Sequence, residues 1–201
     1  TAEILLDIGK QTPDSVKSAP RDSIYARAER FGRRAVQLDS TGADGHYVLA
    51  AAIGRASLTK SKKERVRRAG EVRSEALSAL ELDPQHHKAD HVLGRWNAEI
   101  MRLSGFERFF AKNFLGGKIF KAAAWDSAVV YMDRAIAISP ANIYHHLVLA
   151  EILIDRERYS EARIHLHQVE TLPIIDVMDP SYQERAGSLL RKLEGKKDKD
   201  S

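Results

Sequence analysis

His87 and His91 stand four residues apart in the stretch "HHKADHVLGRWNAEI", with Asp90 between them. On a helix that spacing puts both imidazoles on one face, as a zinc-binding helix requires. A zincin helix also carries its general-base Glu directly after the first His, and here Lys88 takes that place. Spacing dictates no third ligand, which a catalytic zinc needs, although His145, His146, His165 and His167 lie further along. Solvated or hydrogen-bonded histidines are the better reading, and no metal or other cofactor is expected. The stretch "FLGGK" (114–118) lacks the first Gly, the Ser/Thr after Lys and the preceding strand of a phosphate loop. No nucleophile–base pair or paired carboxylates occur at a usable spacing, and the absence of Cys removes thiol catalysis and disulfides. These residues point to a binding module, not an enzyme.

A binding module needs a scaffold to aim its side chains. The chain has 201 residues, 43% hydrophobic and 30% charged, enough for one sizeable folded unit. No apolar run approaches the ~18 residues of a membrane-crossing helix. The opening "TAEILLDIGK" reads as mid-pattern, so a leader or anchor is expected to have been removed, and the compartment is not legible. Three segments line up, "AERFGRRAVQLDS" (28–40), "VRSEALSALELDP" (72–84) and "AVVYMDRAIAISP" (128–140), with a looser fourth, "EARIHLHQVETLP" (161–173). Small or apolar residues recur in register: Val72, Ala76 and Ala79, then Ala128, Met132 and Ala135, then Ala162, Leu166 and Val169. Each of the first three copies is followed by a turn and a second helical pattern, "GADGHYVLAAAIGRA", "HKADHVLGRWNAEI" and "IYHHLVLAEILI". The alternation in "RIHLHQV" suits a strand, but the register of the other copies predicts a helix.

These residues resemble the tetratricopeptide repeat, a helix–turn–helix unit of about 34 residues. Leu49-Ala50, Leu93-Gly94 and Leu149-Ala150 fill the small-pair positions of its helix A, where close helix crossing is needed. The resemblance implies an all-α, right-handed tetratricopeptide solenoid of about three to four helical hairpins. Extra residues are expected in long A–B insertions near 59–70 and 104–124. The stretch "DPSYQERAGSLLRKLEG" reads as a C-terminal capping helix, with Asp179 as N-cap, Pro180 at the first helical position and an apolar stripe of Tyr182, Ala186, Leu189 and Leu193. Residues 1–194 are expected to form a single domain, and the charged tail 195–201 to be disordered.

The middle of the chain is more specific. "DHVLGRWNAEI", then "LSGFERFFAKNFLGG", then "AVVYMDRAIAISP" is similar to the regulator of microtubule dynamics family, over roughly residues 22–194, with the distinctive part at 87–120. That family includes an organelle-tethering protein whose tetratricopeptide domain is linked to phospholipid binding, and relatives linked to microtubules. The resemblance implies a binding role.

Helix A of a tetratricopeptide unit lines the concave surface. Setting Leu93-Gly94 in register aims Lys88, His91, Arg95 and Glu99 into the groove, with Tyr47, Ala51 and Arg55 before them and Tyr144, Leu147, Val148 and Glu151 after. Two arginines and aromatic walls suit a peptide carboxylate or a phosphate head group. The plainer reading is that His91, Arg95 and Glu99 pair along their own helix. The expected ligand is therefore a peptide or protein segment. The alternative, which the family suggests, is an anionic phospholipid or similar amphiphile at a membrane surface. Lys60, Lys62, Lys63, Arg65, Arg67 and Arg68 form a basic run, more often a solvated helix end than a site. No aromatic is interleaved with it, which argues against nucleic acid. Phe106, Phe109, Phe110 and Phe114 fall at helical spacing among basic residues, and suit a satellite core, a lid or a membrane contact. Oligomeric state leaves no signal.

Overall fold

The computed structural model describes residues 1–13, 16, 18–103 and 121–199. Among these residues there are nine helices and no strand: α1 (Ala2–Lys10), α2 (Ala19–Leu38), α3 (Ala43–Ala56), α4 (Lys62–Leu82), α5 (His87–Arg102), α6 (Trp125–Ile138), α7 (Ile143–Asp155), α8 (Tyr159–Thr171) and α9 (Asp179–Lys192). No helix of the described residues is long and apolar enough to cross a membrane.

Local chemistry starts and stops these helices. Ser18 accepts a hydrogen bond from Arg21 N at the start of α2, Ser61 from Glu64 N at α4, and Asn142 from His145 N at α7. Each satisfies a backbone donor that the first turn leaves unpaired. His86 does the same for α5 through its ring nitrogen and Ala89 N. Between helices, Asp39 and Asp83 fold the turns by accepting from the backbone N–H two residues on.

Each helix packs against the next, and the odd-numbered helices also touch one another in series, α1 with α3, α3 with α5, α5 with α7 and α7 with α9. The odd helices thus form one continuous row, and the even helices a second layer against it. This is the organisation of a helical repeat, in which each unit buries its apolar face on its neighbour. The repeat register accounts for the packing: the buried residues of α6 are Ala128, Met132 and Ala135, and those of α8 are Ala162, Leu166 and Val169. Gly94 lets α5 and α6 approach closely, since a Cβ there would lie 2.6 Å from the Met132 sulfur. "RIHLHQV" lies within α8, as the register predicts.

Three features differ from expectation. Residues 2–10, which carry no repeat signature, form α1 and bury Leu6 against Tyr25 of α2. The extra residues near 59–70 mostly lengthen α4 and do not form a loop, because Ser61 caps a helix that begins at Lys62. The tail is described as far as Lys199 and folds back on α8: Ser160 N donates to Asp198 Oδ1 at 2.8 Å, and Lys199 pairs with Glu157 at 3.1 Å. The second expected insertion, with Phe106, Phe109, Phe110 and Phe114, lies outside the described residues apart from 121–124.

Candidate functional site

The odd-helix row brings together Arg55 of α3, Arg95 of α5 and Tyr144 of α7. Arg55 Nη2 donates to the Tyr144 phenolic oxygen at 3.4 Å, and Arg95 Nη1 donates to the same atom. The Arg95 guanidinium also lies 5.9 Å from the Tyr144 ring centre. All three side chains are half-buried. Burial opposes ionisation of the phenol, yet Arg95, Arg55 and Lys10 of α1 pull its pKa below the ordinary value. Tyr182 of α9 stacks on Tyr144, 4.5 Å between ring centres and nearly parallel. Lys10 and Tyr182 come from the terminal helices, outside the three aligned helix A segments, so the repeat register does not point to them.

His91 packs its ring 4.6 Å from that of Tyr144 and is the inner end of a chain of three imidazoles. His91 Nδ1 and His145 Nδ1 share a hydrogen bond of 2.9 Å, and His145 Nε2 and His87 Nδ1 share another of 2.8 Å. His145 thus presents a different nitrogen to each neighbour, so the three do not converge on one point. Among the described residues no group of three or more His, Asp or Glu is placed to hold a metal ion. Burial holds all three below the ordinary histidine value, with His145 at about 3 and His91 opposed further by His145 and Arg95. His145 directly follows Tyr144 in "IYHHL", but only the packing of α7 on α5 reveals its partners.

The other expected groove residues divide into separate clusters. Tyr47 is buried beneath Lys88, whose ammonium lies 5.7 Å from its ring and pairs with Glu3 of α1 at 2.5 Å. Glu151 pairs with Arg185 of α9 at 2.6 Å. Glu99 pairs with Arg102, which also reaches Asp155 of α7. Leu147 and Val148 are core residues. Trp96 is buried against α4 and donates its indole N–H to Ala69 O at 2.7 Å. The basic run is partly internal: Arg68 is buried, donating to Ser57 Oγ at 2.8 Å and to Glu29 at 2.5 Å, and Arg67 pairs with Glu64.

Among the described residues Arg95 makes no ion pair with a carboxylate, and its guanidinium is held by the Tyr144 phenol. A model of the regulator of microtubule dynamics protein 1-3 family matches residues 1–194. The chain belongs to that family. The match takes in α1 as well as the repeats, and so extends beyond the residues 22–194 that carry the sequence resemblance. Among curated proteins none matches significantly.

Proposed function

We propose that this chain is a non-enzymatic binding module of tetratricopeptide type, whose odd-helix row forms a concave groove for a peptide or protein segment bearing an anionic group. The observation that carries this reading is the convergence of Arg55 and Arg95, from two successive helices, on the phenolic oxygen of Tyr144 in a third. That oxygen accepts from both guanidiniums, which leaves its own O–H to donate onward. Two guanidiniums and a phenol together bind a carboxylate through charge-assisted hydrogen bonds. Membership of the family supports a binding or scaffold role.

The test is a display library of short peptides with free C-termini, panned against the protein and against the double variant Arg55→Gln, Arg95→Gln. Retention of acidic or free-carboxylate sequences by the parent, and their loss from a folded double variant, is the expected result. Equal retention by both proteins removes the two arginines from the site. A second reading, an anionic amphiphile at a membrane surface, is favoured by the exposed Ile174, Ile175 and Val177 between α8 and α9. Co-sedimentation with phosphatidylserine vesicles, abolished by changing those three residues to Ser, supports it; no co-sedimentation excludes it.

A further inference from the structure

We propose that the oxyanion site at Tyr144 takes up its ligand together with a proton, which the His87–His145–His91 chain accepts. The inference rests on the binding reading above and assigns its regulation.

The chain has the connectivity of a proton wire. Three neutral imidazoles carry one N–H each, and the two shared hydrogen bonds consume two of them. The third N–H therefore sits at one end of the chain or the other, and the three tautomers must change in step. One added proton makes both ends donors. It enters at the half-buried His87 and is expressed at His91, whose Nε2 is buried and has no hydrogen-bond partner. The His91 ring lies against Tyr144, so that charge appears beside the anion site.

The surroundings keep the chain neutral. His91 is faced by His145, Arg95, Lys10 and Arg55, and His145 by His87, His146 and Lys88. His87 is faced by Lys88, His86 and Glu3, and Tyr144 by Arg95, Arg55, Lys10 and Glu151. In that set Glu3 is engaged by Lys88, Glu151 by Arg185, and Lys10 by Asp7 on its own helix. Burial first, and Arg95 and the neighbouring imidazoles after it, oppose a proton, and an oxyanion bound at Arg95 offsets the electrostatic part of that opposition. By linkage, whatever raises proton affinity when bound must bind more tightly as pH falls. The ligand chemistry is a carboxylate or a tetrahedral oxyanion.

Isothermal titration with sulfate, and separately with formate, tests this, because neither changes protonation over the range used. Titrations at about pH 7.5 and 5.5, in buffers of different ionisation heat, count the protons taken up. Affinity for at least one anion is expected to rise about fivefold at the lower pH, with net proton uptake. Arg95→Gln abolishes binding; His145→Gln, or His87→Gln if the first fails to fold, abolishes the uptake and flattens the pH dependence. Anion binding with no proton uptake overturns the proton coupling and leaves the site standing. No binding of either anion at any pH overturns the site itself. Whichever anion binds distinguishes a carboxylate ligand from a phosphate-like one.

Discussion

Asp90 is a buried carboxylate with little around it to hold a charge. It is fully buried in the first turn of α5, neither carboxylate oxygen has a hydrogen-bond partner, and its nearest cation is Arg134 Nε at 3.5 Å. Burial raises its pKa to about 6, against the attraction of Arg134. The folded state therefore prefers the protonated acid, and Asp90 costs stability as pH rises from about 4 through about 6. Asp90→Asn is expected to stabilise the protein at neutral pH by about 1–3 kcal/mol and to have little effect near pH 4, measured by urea unfolding. A second residue-scale prediction concerns Gly94. Gly94→Val forces a side chain into the Met132 sulfur and is expected to cost about 2–4 kcal/mol in thermal or urea denaturation.

At the scale of elements, the α5–α7 contact is held by neutral histidines, and that sets its acid response. His87, His91 and His145 all have folded pKa values below the ordinary 6.5, and His146 and His165 of the α7–α8 contact share the direction. A depressed histidine adds stability that is fully present above its unfolded pKa and is lost as pH falls below it. The five histidines outnumber the three groups that acid favours, the raised carboxyls Asp90 and Asp133 and the raised His46, so the net effect of acid is expected to be destabilising. Urea midpoints are expected to fall steadily from about pH 6.5 to pH 4.5, and His145→Phe to flatten that slope. An unchanged slope in the variant would place the acid-sensitive groups elsewhere. The terminal element α1 offers a separate check. Deleting residues 1–10 uncovers Tyr25 and removes Leu6, and is expected to cost several kcal/mol, read as a lower melting temperature.

Over the whole molecule, stability of a stacked array is a sum over neighbours, so the ends open before the middle. Hydrogen exchange is expected to be slowest in α5 and α7, which touch elements on several sides, and fastest in α1 and in the tail after Leu193. The sequence by itself determined the helices and their buried faces. Apolar spacing and capping residues act over a few positions, so Ala128, Met132 and Ala135 could be read as one face without knowing what they touch. The repeat resemblance implied a close helix crossing at Gly94, and the structure places the Met132 sulfur 2.6 Å from where a Cβ would be. Only the tertiary structure decided which of the aligned groove residues act together. Periodicity places Glu99 and Glu151 on the same face as Arg95, but each has an arginine partner at Arg102 or Arg185 that neutralises it. The histidine chain was equally out of reach: His87 and His91 are one turn apart, but His145 joins them from 54 positions beyond His91. Charge pairing and hydrogen bonding depend on distances of about 3 Å, and these are set by how helices stack, not by their order in the chain.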